Sequence, residues 1–126
     1  MSASAQRALD SIAFQLAATV ERYETHVDEL VASWLDMDTY RIVSSEIDEI
    51  QLYSSSLPTL AVPAVALLIA HSELVFSLWR GAGAVLENAA VQDCLLRHRA
   101  CADDLHRTCL RLLRGGTGNG RFRLVR

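Results

Sequence analysis

The densest set of potential metal ligands and nucleophiles in this chain lies between positions 94 and 109. Cys94, His98, Cys101, Leu105, Cys109 and Leu112 fall on one side of a helix at about 100° per residue, so three thiols and an imidazole share a stripe with leucines. Cys94 and His98 stand four residues apart and His98 and Cys101 three, so either pair can grip one metal ion. A zinc site needs four ligands in a tetrahedron, and one straight helix presents only two or three to a point. A partner helix would supply the rest, for instance Cys94 and His98 of a second copy. No paired Cys-x-x-Cys spacing supports this, and cysteine packs readily as a small buried hydrophobe. Packing is therefore the first expectation for this face, with Cys94, His98 and Cys101 as the candidates for a thiol or metal sensor.

Other titratable groups are sparser. His71, two residues before Glu73, lies in an apolar segment. A histidine there needs a hydrogen-bond partner and is a candidate to titrate near neutral pH; a satisfied core or interface histidine is the expected role. A four-helix di-iron centre wants Glu-x-x-His on two helices. The chain has only Asp103-x-x-His106 and the reversed His26-x-x-Glu29, both off the apolar stripes. There is no Gly-x-Ser-x-Gly elbow, and the run Gly115-Gly116-Thr117-Gly118-Asn119-Gly120 follows a helix and lacks the lysine of a phosphate loop. Arg121, Arg123 and Arg126 surround Phe122, a set that can meet phosphates and stack on a base. The acidic pI of about 5.7 opposes a nucleic-acid role for the body.

Helices must position these groups. The first 57 residues contain neither glycine nor proline, which leaves helix as their default. Leu9, Ile12, Leu16, Val20, Tyr23, Val27, Leu30 and Trp34 recur at steps of 3, 4, 4, 3, 4, 3 and 4, one continuous amphipathic stripe. Phe14 falls off that stripe and marks a second contact surface or a single exposed hydrophobe. Tyr40, Val43, Ile47 and Ile50 form a stripe of different phase, which predicts a break near residues 36–39 with Asp38 as the next N-cap. The cluster Ser54-Ser55-Ser56-Leu57-Pro58-Thr59 reads as a loop. A third helix follows from about Leu60 to Trp79, apolar nearly all round in its first half and so expected in the middle, surrounded by neighbours. Its run from Leu60 to Ala70 is too short for a bilayer. Gly81-Ala82-Gly83 predicts a turn, and a fourth helix from about Ala84 to Arg114 ends at Gly115-Gly116.

The expected fold is all-α: one antiparallel four-helix bundle over residues 1–114, completed or doubled by homodimerisation, with a flexible Gly/Arg-rich tail over 115–126. The length suits one domain with a real core. All twelve basic residues are arginine, which suits bidentate ion pairs. Charge is split by position: residues 1–73 carry eleven carboxylates against three arginines, a net of −8, and residues 74–126 nine arginines against four carboxylates, a net of +5. The acidic first two helices are expected to face the basic last one and neutralise locally. No apolar signal core follows Met1, so a cytoplasmic, membrane-free location is expected, where three thiols stay reduced.

No catalytic constellation, no cofactor and no resident metal is expected. The reading is a small non-catalytic interaction protein, an adaptor, chaperone or regulator, that binds itself or another protein. Phe14 and the tail residues Arg121, Phe122, Arg123 and Arg126 are the candidate binding residues. The alternatives are the thiol or metal sensor and a nucleic-acid-associated factor acting through the tail.

Overall fold

The computed structural model describes residues 2–81 and 89–118, and among these the chain is all-α. Four helices, α1 (Ala3–Ala32), α2 (Met37–Ser54), α3 (Ala61–Gly81) and α4 (Ala89–Gly118), are joined by a helical corner between α1 and α2 and a 3-10 turn, Pro58–Leu60, before α3. The predicted turn after Gly81 and the predicted start of the last helix lie outside the described residues.

The stripe read from α1 is the centre of the core: Leu16, Val20, Tyr23, Val27 and Leu30 are all buried. They meet Val43, Ile47 and Ile50 of α2, Leu67, Leu74 and Leu78 of α3, and Val91, Leu105 and Cys109 of α4. Each such aliphatic side chain contributes about 1.5–3 kcal/mol on leaving water. Helix α1 packs along both α2 and α4, and α3 packs along α4, whereas α2 touches α3 only lightly.

The break after α1 comes slightly earlier than expected. Ser33 closes the helix, Leu35 donates its amide to the Leu30 carbonyl at 2.9 Å, and Trp34 and Leu35 both adopt positive φ, 64° and 65°. Two consecutive non-glycine residues in the left-handed region are strained; partial burial of both side chains against the core holds them there. The N-cap of α2 is then Asp36, not Asp38. Its carboxylate accepts from the Thr39 amide at 3.0 Å and the Thr39 hydroxyl at 3.1 Å, and these bonds hold its carboxyl below the ordinary range.

Two expectations about α3 and α4 are corrected. Helix α3 is not central: only Ala64, Leu67, Ala70, His71, Leu74 and Leu78 are buried, and the opposite side is open. A helix apolar all round does not have to be covered on all sides. Helix α4 continues through Gly115 and Gly116 to Gly118, because glycine in an unhindered helical turn weakens a helix without ending it.

The charge split is partly spent between helices. Arg99 of α4 reaches Asp28 of α1 at 3.5 Å, His106 reaches Glu21 at 2.9 Å, and Arg97 reaches Glu73 of α3 at 3.7 Å. These pairs are largely exposed, so each contributes at most about 1 kcal/mol and serves alignment more than stability.

Candidate functional site

A tyrosine in a leucine stripe must find a partner for its hydroxyl, and Tyr23 finds two. Its oxygen lies 2.8 Å from Nδ1 of His71 and 2.7 Å from Nε2 of His98, joining α1 to α3 and α4 at the middle of the core. His98 is 1% exposed and His71 9%. The rings tilt against the phenol with centroids 5.8 Å and 5.4 Å away.

Burial keeps all three groups neutral. It pushes His98 down to about 4, with the nearby His71 and Arg99 adding to the effect, lowers His71, and raises Tyr23 together with Glu24 and Glu46. The expected role of His71, a satisfied core histidine, is the one seen. Its partner is Tyr23, and Glu73 points to Arg97.

A phenol has one proton, so it donates to one ring and accepts an N–H from the other. Two arrangements satisfy the chain. In one, Tyr23 donates to Nδ1 of His71, and His71 carries its proton on Nε2; in the other, Tyr23 donates to Nε2 of His98, and His71 Nε2 is bare. Each end meets a cavity. His71 borders one of about 500 Å³ together with Leu35, Met37, Tyr40, Ser72, Val75, Phe76 and Trp79. His98 borders a smaller one of about 130 Å³ with Glu24, Val27, Asp28, Arg99 and Asp103. Uptake of a proton on His98 Nδ1, two shifts across the phenol oxygen and release from His71 Nε2 convert the first arrangement into the second. The geometry is that of a short proton wire.

A second polar pair is half-buried. Nδ1 of His26 lies 2.9 and 2.8 Å from the two carboxylate oxygens of Glu46, tying α1 to α2.

The candidate thiols are placed as expected on one side of α4, but they do not form a ligand set. Cys94 lies 3.1 Å from the Ser77 hydroxyl and 3.3 Å from the Arg97 guanidinium, which donates to it; His98 spends Nε2 on Tyr23. Burial, with Asp104 and Glu73, raises the Cys101 thiol, and burial pushes Cys109 up to about 11. Raised thiols form little thiolate near pH 7. Among the described residues, no three His, Cys, Asp or Glu side chains converge on a point that could hold a metal ion. Phe14 stands 61% exposed on α1; Arg121, Phe122, Arg123 and Arg126 lie outside the described residues.

The largest feature missed in the sequence is the open face of α3. Val62, Val65, Ile69, Ser72, Phe76 and Trp79 are all exposed, the five large hydrophobics among them from 52% at Val65 to 79% at Val62. The segment Pro58–Gly81, 24 residues, is also long and apolar enough by length and composition to cross a membrane, contrary to the reading of its first half alone. No protein family, no curated protein and no solved structure matches this chain.

Proposed function

We propose that this chain is a small cytoplasmic, non-catalytic helical protein that acts by protein–protein interaction, and that its first partner is a second copy of itself. In this reading residues 1–114 form an antiparallel four-helix bundle, and two bundles pair through the open face of α3.

One observation carries the proposal. Six of the exposed positions of α3, Val62, Val65, Ile69, Ser72, Phe76 and Trp79, recur at steps of 3, 4, 3, 4 and 3, and their pattern reads the same in both directions about a point between Ala70 and His71. An isologous two-fold contact needs such self-complementarity. Antiparallel pairing about that point sets Val62 against Trp79 of the other copy, Val65 against Phe76, and Ile69 against Ser72. Every pair joins a smaller side chain to a larger one, which fills space evenly. Glu73 is the charged residue within the paired segment, and Arg97 of the same chain engages it at 3.7 Å.

The driving force is apolar burial, since the inter-helix charges are already engaged within the chain. The dimer therefore holds as salt rises, unlike a charge-assisted one. Light scattering across a salt series, with wild type and Ile69→Glu, tests this: a salt-insensitive dimer that the substitution converts to a folded monomer supports the proposal. A wild-type monomer, a dimer untouched by Ile69→Glu, or a monomer that floats with lipid vesicles overturns it.

A further inference from the structure

The cavity beside His71 is built differently from the rest of the surface. Its walls are the corner residues Leu35 and Met37, then Tyr40 of α2, and Val75, Phe76 and Trp79 of α3, with no charged side chain among its lining residues. The strained corner at Trp34 and Leu35 carries Leu35 onto the wall. At about 500 Å³ it falls within the size range of small-molecule sites, and aromatic walls with a few placed polar groups are the usual make-up of such sites.

The most buried polar group on its walls is His71, beside the more accessible Ser72 and Tyr40. It is nine-tenths buried, its Nδ1 is bound to Tyr23, and among the described residues its Nε2 makes no hydrogen bond. We infer that this cavity binds a neutral, flat, largely apolar molecule carrying one hydrogen-bonding group, which pairs with Nε2 of His71. A charged ligand would lose its hydration against walls that offer no counter-charge.

The chain behind His71 adds a property an isolated histidine lacks. When Nε2 of His71 accepts from a ligand, its Nδ1–H donates to Tyr23, and the phenol proton turns to His98 Nε2, fixing the proton of His98 on Nδ1. When Nε2 donates to a ligand, every element of the chain reverses. The cavity thus meets a donor or an acceptor, and His98, which does not touch the ligand, reports which one is bound. Ser72, Phe76 and Trp79 line both this cavity and the proposed α3 contact, so binding is measured on the Ile69→Glu monomer, where a failure to bind counts against the cavity and not against the dimer.

N-phenyl-1-naphthylamine, neutral and aromatic with one N–H, is a suitable probe, and its sulfonated relative 1-anilinonaphthalene-8-sulfonate is the charged comparison. The full chain should bind one neutral dye, with the sulfonate at least about tenfold weaker and Val75→Trp, which fills the cavity, weakening the neutral dye by about the same factor. Met37→Trp at the rim is the second filling variant should Val75→Trp fail to fold; Leu52→Ser, on the exposed side of α2 and outside the cavity, should leave binding unchanged. Imidazole ¹⁵N shifts should show His71 and His98 changing tautomer together on binding, and only His71 responding in Tyr23→Phe. Equal binding of the two dyes, insensitivity to both filling variants, or a His71 change without His98 in the wild type would overturn the inference.

Discussion

The hydroxyl oxygen of Tyr23 lies 2.7 Å from Nε2 of His98, across 75 residues of sequence, and the same oxygen holds His71. One atom therefore fixes the mutual position of three helices. Tyr23→Phe should keep the fold but leave two buried imidazoles short of a partner, at about 1–3 kcal/mol. Adding His98→Leu should recover part of that loss, because both groups of one pair are then apolar. Urea unfolding of the single and double variants measures this.

Acid should unfold the protein earlier than its carboxylates alone require. The folded His98 titrates at about 4, below its ordinary 6.5, so between those values the unfolded state binds the proton and the folded state does not. Stability is then fully present above about pH 6.5 and falls with pH, by about 3 kcal/mol once pH 4 is passed. His71 and Asp36, both lowered, act in the same direction; Glu24, raised, acts in the opposite one. Thermal melts from pH 7.5 to 4 should show the fall, and His98→Gln should flatten the curve.

The two sides of α3 should respond oppositely to truncation. Leu74→Ala opens a cavity in the core and should cost about 2–5 kcal/mol of chain stability. Ile69→Ala lies on the open face and should leave the stability of the isolated chain nearly unchanged while weakening self-association. Denaturant unfolding at low protein concentration, together with light scattering, separates the two effects.

Gly115 sits inside α4, and a methyl group added there meets nothing within 4 Å. Gly115→Ala should therefore stabilise the chain by about 0.5–1 kcal/mol by limiting the unfolded backbone. A rise in melting temperature of a few degrees checks it.

Much of the fold was legible because α1 and α4 each show one apolar face, and one-faced periodicity maps directly to burial. Helix α3 was illegible for the converse reason. A helix apolar all round has no preferred face in sequence, so whether neighbours or another molecule cover it depends on how lightly α2 touches it. The corner at Trp34 and Leu35 was also hidden, since positive φ at such residues runs against their local preference. In the candidate site, His98 and His71 were both identified, but their connection was not. Tyr23 was read as one more apolar position of α1, although its hydroxyl was the signal that a buried polar partner had to exist.

Antiparallel pairing of α3 with its counterpart can be trapped by cysteine cross-linking. Within one chain, residues 62 and 79 are about 25 Å apart along the helix and cannot be bridged. A mixture of Val62→Cys and Trp79→Cys proteins under mild oxidation should give a disulfide-linked dimer containing one of each, while Val62→Cys alone should give none above the background of the native cysteines. A mixture that stays monomeric, or a Val62→Cys protein that links to itself, would exclude antiparallel pairing of α3.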